Sequence, residues 1–330
     1  MDFALSDEQT AIFDMARAFG AEHIAPFARQ WEAEGTIPKT LWPEIAALGF
    51  GGLYVSEENG GTGLTRLDAT LVFEALSMSC ASVAAFLSIH NMCAKMIDDF
   101  ASDELRDKYL PSALTMETVF SYCLTEPGAG SDAASLRTSA VRDGDDYLVN
   151  GSKVFISGAG ETDVLVVMLR TGGAGPKGIS AVLIPADAEG VSYGKKEEKM
   201  GWNAQPTRMV TFDNVRVPVA NRLGVEGQGF AIAMEGAEVV GGADEFGGLR
   251  PVAPATAAVL VAPQPQRARH PSPQDQGCLV RAAAARAAPA GRLCRQPERP
   301  LISRGAPAAA QRPYRPGGGM RIRRASPGDI

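Results

Sequence analysis

The composition of the chain changes abruptly near residue 246, and this change limits how much of the sequence can build a hydrophobic core. Phe246 to Ile330 holds 14 arginines, no lysine, 3 acidic residues and 13 of the 22 prolines, giving a formal charge of +11 against −17 for the rest of the 330 residues. Its only aromatic residues are Phe246 and Tyr314. Such a segment buries too little apolar surface to offset the entropy lost on ordering. We therefore expect residues 237–330 to form a disordered tail rich in Ala, Arg and Pro.

In the first 116 residues, apolar residues recur at the spacing of an α-helix. Ser6 and Gln9 are spaced as a capping box, and apolar residues follow it at helical spacing. Pro38 suits the first turn of a second helix that Gly49 would end. Further helices are expected at 67–78, 83–99 and 103–114. The sequence predicts an N-terminal helical domain over residues 1–116.

From residue 117 the pattern of apolar residues becomes typical of β-strands. Apolar runs such as Val164–Leu169 and Ile179–Ile184 alternate with Gly- and Pro-rich turns, which predicts a compact antiparallel β domain over residues 117–236. The fold class is therefore α+β. The sequence lacks a dinucleotide-binding glycine pattern, a zinc-binding helix and metal-type cysteine spacing, so we expect no metal. It also lacks a signal peptide, a transit peptide and an apolar run of membrane-spanning length, so we expect a cytoplasmic protein that makes no membrane contact.

One ten-residue segment combines hydroxyls with a flexible backbone: Cys123-Leu-Thr-Glu-Pro-Gly-Ala-Gly-Ser-Asp132. It follows an apolar run that is expected to be a buried strand. Thr125 and Ser131 lie at the two ends of the glycine-rich break, where hydroxyls and free N–H groups can meet carbonyl or phosphate oxygens. The segment suits a flat ligand with polar edges. The alternative is an ordinary glycine-rich turn.

The next segment is expected to be a hairpin. Tyr147–Val149 and Lys153–Ser157 flank Asn150-Gly151, a dipeptide typical of tight hairpin turns. The second strand would place the Phe155 ring and the Ser157 hydroxyl on one face, where they could stack on a planar ring and hydrogen-bond to it. Alternatively, Phe155 belongs to the core and Ser157 starts a turn.

Together these segments resemble the acyl-CoA dehydrogenase family of flavoenzymes. The resemblance extends over residues 1 to about 236 and then stops. Further matching segments are Leu5–Gln9, Glu57–Leu64, Asp213–Pro218 and Gly224–Phe230. Ile89–Met92, Gly175–Ser180 and Gly201–Arg208 are similar to the family's members for short branched acyl groups.

The resemblance implies an FAD cofactor and the α,β-dehydrogenation of a short branched acyl-CoA such as isobutyryl-CoA, in valine breakdown. It implies that Ser131 also meets the CoA portion of the substrate. An electron-transfer flavoprotein would be the electron acceptor. The residues implied to contact FAD are Tyr122, Cys123, Leu124, Thr125, Gly130, Ser131, Phe155, Ile156 and Ser157.

The family's catalytic Glu lies in a C-terminal four-helix bundle, and no segment after Gly236 matches that bundle. The resemblance therefore assigns no catalytic residue to this sequence, and the bundle is expected to be absent or replaced by the tail. Glu126 lies beside the flavin motif, but the family does not use that position as the base, and we interpret Glu126 as fixing the turn. The family's homotetramer is built largely through the bundle, so its retention here is in doubt. We expect activity to be impaired.

Other interpretations remain open. A related flavin oxidase would pass its electrons to oxygen, and a non-catalytic protein could use the basic tail on nucleic acid. The tail itself is either a genuine basic appendage or the product of a lost reading frame in a GC-rich gene. We favour the frameshift, because out-of-frame translation of such a gene yields Ala, Arg, Pro and Gly.

Overall fold

The computed structural model describes residues 4–241, with side chains through residue 236. Helices come first along the chain. A π-helical turn at Gly20–Ile24 separates the first two of them. The α-helices that precede the strands are α1 Asp7–Phe19, α2 Ala25–Glu34, α3 Leu41–Ala46, α4 Arg66–Ser77, α5 Ala81–Phe100 and α6 Asp103–Leu114.

Local signals explain where some of these helices begin. The capping box at the start of α1 is present as predicted, because Ser6 and Gln9 exchange backbone-to-side-chain hydrogen bonds of 3.1 Å. Thr65 caps α4 in the same way. The helix predicted to start at Pro38 begins later, at Leu41. The Leu41 N–H donates to the Pro38 carbonyl at 3.1 Å, so a turn precedes this helix.

The strands form one mixed sheet in the part of the chain described. Its order is β6-β7-β3-β2-β4-β5-β8, and β1 also pairs with β4. The strands are β1 Phe120–Cys123, β2 Ser139–Asp143, β3 Asp146–Ser157, β4 Val164–Arg170, β5 Ile179–Pro185, β6 Val191–Tyr193, β7 Thr207–Pro218 and β8 Arg222–Leu223. Helix α7, Gly229–Gly241, follows them.

The predicted α+β fold is confirmed, since a helical segment precedes a sheet with mainly antiparallel pairing. Two pairings depart from the antiparallel prediction. β1 runs parallel to β4, with Phe120 opposite Val164, and β2 meets β4 in parallel at Ser139 and Arg170. These pairings join segments far apart in sequence, and no local pattern encodes them.

The predicted hairpin at Asn150-Gly151 is wrong. β3 runs through these residues as one strand, with β2 and β7 as antiparallel neighbours. The register against β7 shifts between Val149 and Gly151, so the dipeptide forms a bulge. The tight turn lies earlier, at Gly144-Asp145 between β2 and β3, where Gly144 has a φ of +65°. Asn150-Gly151 and Gly144-Asp145 can both adopt positive φ values. The pairing of β3 with β2 and β7 decides which of them forms the turn.

The helices and the sheet share a hydrophobic core. One buried cluster includes Met96 of α5, Leu110 of α6, Phe120 of β1, Val166 of β4 and Ile232 of α7. A second cluster lies among helices α1 to α5, and a third lies within the sheet. The helical period gives way to strands between Leu114 and Phe120, but the domain boundary at residue 116 stays a prediction.

The predictions made for the tail, including its disorder, its origin and its possible nucleic-acid binding, fall outside the residues that the structure describes. Within residues 4–241, no helix has both the length and the apolar character needed to cross a bilayer. The same residues contain no group of three or more His, Cys, Asp or Glu side chains suited to a metal ion. The cytoplasmic location stays a prediction.

Candidate cofactor site

The structure brings the end of β1 beside the end of β3. The Val154 N–H donates to the Thr125 carbonyl at 2.8 Å. The Ser121 hydroxyl donates to the Ser157 carbonyl at 2.6 Å. The two segments that the sequence assigns to one site are therefore neighbours held by direct hydrogen bonds.

The glycine-rich loop after β1 leaves backbone donors open. Glu126 and Ala129 hydrogen-bond to each other through their backbones at 3.0 and 3.1 Å, which closes a tight turn. A Cβ placed on Gly128 or Gly130 would have no heavy atom within 4 Å. Among the described residues, none accepts a hydrogen bond from the N–H groups of Gly128, Gly130 and Ser131. Such free amides can bind carbonyl or phosphate oxygens of a ligand.

Three hydroxyls at this site are also free to bind a ligand. Within the described part of the chain, the side chains of Thr125, Ser131 and Ser157 make no hydrogen bond. Ser131 is exposed, whereas Thr125 and Ser157 are half-buried. Together with the open amides, these hydroxyls supply several hydrogen-bonding groups at one end of the sheet.

Phe155 presents an aromatic ring beside these groups. It is 44% exposed, which excludes the alternative that it belongs to the core. Its φ of +60° is unusual for a bulky residue, and β3 has a second register shift between Lys153 and Ile156. Strained backbone of this kind persists where the surrounding structure enforces it, often at binding sites. The bulge turns an apolar ring outward from a strand whose other residues are buried or half-buried.

The remaining residues implied to contact FAD lie deeper. Cys123 is fully buried and Ile156 is 2% exposed, so they can reach a ligand mainly through their backbones. Burial raises the pKa of the Cys123 thiol to about 12, so the thiol is protonated at neutral pH. The Tyr122 hydroxyl is directed toward α7, 3.5 Å from the Ala233 carbonyl, and burial raises its pKa. The Leu124 carbonyl is occupied, as described next.

A buried ion pair lies beneath the loop. Lys153 is fully buried, and its ammonium donates to the Leu124 carbonyl at 2.9 Å and to Glu126 Oε1 at 2.8 Å. The Glu126 carboxylate also accepts from the N–H groups of Arg137 and Thr138, at 2.6 and 2.9 Å. Burial opposes ionisation of Glu126, but Lys153 and these amides hold its pKa below the ordinary value. Both oxygens are engaged, so Glu126 fixes the turn, as the sequence interpretation has it.

The sequence interpretation missed Lys153. A signal was available, because an ionisable residue stands among Val154, Phe155 and Ile156 in a strand expected to be apolar. Buried lysines are almost always paired, so this position called for an acidic partner.

An open groove adjoins the chain directly after the loop, beginning at Asp132. Its volume is about 550 Å³, and its lining includes Asp132, Ser135, Arg137 and Arg170. The Arg170 guanidinium is fixed by carbonyl groups, among them those of Ala134 at 2.9 Å and Leu136 at 2.9 and 3.0 Å. Arg137 is exposed. The five N–H groups of Arg170 donate to the carbonyls of Ala134, Leu136, Gly173 and Gly175, so the exposed Arg137 is the guanidinium of this lining that can pair with an anionic ligand.

The fold defines the class of proteins in which a helical N-terminal part precedes a β-sheet middle part. Residues 6–117 match the N-terminal domain of acyl-CoA dehydrogenases and residues 121–215 match their middle domain, so the chain belongs to the acyl-CoA dehydrogenase family.

Among its relatives are two curated mitochondrial isobutyryl-CoA dehydrogenases. The protein of Dictyostelium discoideum is 53% identical over 248 residues, which cover 74% of this chain and 60% of the relative. The protein of Bos taurus is 54% identical over 232 residues, which cover 70% of this chain and 56% of that relative. A solved structure, the FAD complex of PigA, is 32% identical with a TM-score of 0.68, covering 72% of this chain and 63% of that one. The chain thus spans about 60% of the length of its curated relatives.

Proposed function

We propose that this chain binds FAD at the end of β1 and β3 and derives from a dehydrogenase of short branched acyl-CoA such as isobutyryl-CoA. The observation that carries the proposal is the convergence of the loop Thr125–Ser131 with Phe155–Ser157, which brings free amides and hydroxyls to the same end of the sheet as an exposed ring. A planar ring with polar edges fits this set of groups. The sequence identity of 53% and 54% to two isobutyryl-CoA dehydrogenases supports a short branched acyl group in the substrate.

Each part of the site has a proposed role toward the cofactor. Phe155 packs on the ring, and the hydroxyls of Thr125 and Ser157 hydrogen-bond to its edge. The backbones of Tyr122, Cys123, Leu124 and Ile156 form the wall, and the amides of Gly130 and Ser131 bind its polar groups. When bound, FAD supplies the acceptor for the β-hydrogen that leaves the substrate as hydride.

The CoA portion of the substrate would lie where the loop ends. Ser131 is exposed and adjoins the groove that contains Arg137, so we assign the CoA portion to this groove. The guanidinium can pair with a phosphate. Electrons would pass on to an electron-transfer flavoprotein, the acceptor that the family resemblance implies.

Catalysis by this polypeptide is proposed to be weak or absent. Dehydrogenation needs a carboxylate to remove the α-proton, and the carboxylate beside the site, Glu126, is occupied by Lys153 and two amides. No segment after Gly236 matches the family's catalytic region. A missing general base lowers the rate on the order of 10²–10⁴-fold. A dye-coupled assay with isobutyryl-CoA is expected to show little turnover, and robust turnover would refute this part of the proposal.

Flavin binding is tested directly on the purified full chain. We expect a visible flavin absorbance band, or its appearance on titration with FAD. Phe155→Ala should weaken FAD affinity about tenfold, because stacking on an aromatic face contributes roughly 1 kcal/mol or more. Phe27→Ala is the matched control, since Phe27 is 47% exposed on α2 and stacks on Trp31, a residue that is not part of the site. Failure of the wild-type chain to bind FAD at any concentration tested would refute the proposal.

A further inference from the structure

The ammonium of Lys153 holds together segments that are distant in sequence. It donates to the Leu124 carbonyl, where the loop begins, and to the Glu126 carboxylate two residues later. Through Glu126 it is connected to the amides of Arg137 and Thr138, on the chain that returns to the sheet. The loop is thus fixed at its start and at its return.

The loop has few other anchors. Within the described residues, its internal backbone hydrogen bonds join only Glu126 and Ala129, and a Cβ placed on Gly128 or Gly130 would meet no heavy atom within 4 Å. The other direct link to β3 is the hydrogen bond from Val154 N–H to the Thr125 carbonyl. An open glycine-rich segment would otherwise sample many conformations.

A buried ion pair is a costly way to gain stability, since apolar residues of the same volume often stabilise a fold as well or better. Its geometry is more informative. Glu126 Oε1 accepts from both Lys153 and Thr138, and Oε2 accepts from Arg137, so the carboxylate can occupy only one orientation. The pair therefore specifies a loop conformation.

We infer that Lys153 is a positioning residue that orders the loop Leu124–Ser131 in its ligand-binding conformation through its ion pair with Glu126. As regards flavin, the inference rests on the proposed function. Lys153 is buried beneath the loop and acts on the ligand through the backbone of Leu124 and the carboxylate of Glu126.

The test combines hydrogen exchange with flavin binding on the full chain. Lys153→Met keeps the volume of the side chain and removes its charge. We expect the amides of Arg137 and Thr138 to exchange about tenfold faster or more, as expected for loss of a coupled partner. FAD affinity should fall by a similar factor, and the visible circular dichroism of bound flavin at saturating FAD should change, which a general loss of stability would not cause.

Two further variants keep the test decisive. Lys95→Met is the matched control, because Lys95 is 27% exposed and pairs with Asp98 and Asp99 on α5. It should leave loop exchange and the flavin spectrum unchanged. If Lys153→Met does not fold, the double variant Lys153→Met/Glu126→Gln removes both charges and is expected to fold, since replacing a whole buried pair is often tolerated. It should show the same fast exchange.

The outcomes separate the two proposals. Unchanged exchange at Arg137 and Thr138 in the folded variants would overturn the inference, and so would faster exchange with unchanged flavin affinity and spectrum. If the wild-type chain binds no FAD, the proposed function fails, and exchange alone decides the inference. Faster exchange then supports the ordering role of Lys153, and unchanged exchange rejects it.

Discussion

Gly151 lies within β3 where the chain passes very close to Thr138. Its φ is +143°, and a Cβ at this position would lie 2.6 Å from Thr138 Oγ1 and 2.7 Å from Thr138 Cα. The Thr138 hydroxyl donates to the Ser152 carbonyl at 3.2 Å, and the Thr138 N–H donates to Glu126. The missing side chain at Gly151 therefore permits the approach that carries the loop back to the sheet.

Gly151→Ala is expected to destabilise the protein by about 3 kcal/mol, since it combines an unfavourable φ with a clash against backbone. The free energy of unfolding from urea titration measures this effect. Gly173→Ala is the control, because no heavy atom lies within 4 Å of a Cβ there. Equal stability of the two variants would contradict this account of Gly151.

The sequence could predict individual site residues where their chemistry is local. Thr125, Ser131, Phe155 and Ser157 were selected for their types and order, and the structure brings their segments together. Lys153 could not be assigned in this way, because its partners Leu124 and Glu126 are reached only through the fold.

At the scale of elements, α5 fixes a neighbouring loop through a single carboxylate. Asp98 accepts hydrogen bonds from Ser56 N–H at 3.0 Å, Ser56 hydroxyl at 3.1 Å and Asn59 amide at 2.6 Å. Its side chain is 3% exposed and also lies 3.4 Å from the Lys95 ammonium. Asp98 thereby ties a 3₁₀ turn, Glu57–Asn59, to the helix.

Asp98→Ala is expected to cost about 3 kcal/mol of stability, because it leaves three half-buried donor groups of Ser56 and Asn59 without their acceptor. Asp99→Ala is a close control, since Asp99 is 30% exposed and its ion-pair partner among the described residues is Lys95. Thermal or urea unfolding of both variants measures the difference. A loss for Asp98→Ala no larger than for Asp99→Ala would contradict the anchoring role.

Helices were predicted well from the sequence, because capping residues and the spacing of apolar residues are local signals. Helices expected at 67–78, 83–99 and 103–114 occur at Arg66–Ser77, Ala81–Phe100 and Asp103–Leu114. The prediction failed at β3, because Asn150-Gly151 has the same chemistry in a bulge as in a turn. The parallel partner of β1 was equally beyond reach, since strand pairing depends on contacts between distant residues.

At the scale of the whole molecule, His90 links stability to pH. It is fully buried in α5, and its Nε2 lies 3.0 Å from the Ala113 carbonyl. Burial lowers the pKa of His90 to about 4, although the hydrogen bond to Ala113 opposes this effect. In the unfolded chain a histidine titrates near 6.5. The imidazole is therefore kept neutral by folding.

Stability should fall as the pH drops from about 6.5 to 4, because over this range the unfolded chain binds a proton at His90 that the folded protein does not bind. The expected loss is about 3 kcal/mol. Urea unfolding at pH 7, 5.5 and 4 measures it, and His90→Gln should remove this part of the pH dependence. An identical pH profile in the variant would contradict the assignment.

The parallel pairing of β1 with β4 has a consequence for biosynthesis. Phe120 pairs with Val164, so more than forty residues must be translated before β1 finds its partner. At a rate of about 5–20 residues per second this takes roughly 2 to 9 s. For that interval the nascent chain displays an apolar strand with unsatisfied peptide groups outside the ribosome. Chaperones that recognise such strands should bind this segment during translation and dissociate once Val167 has emerged.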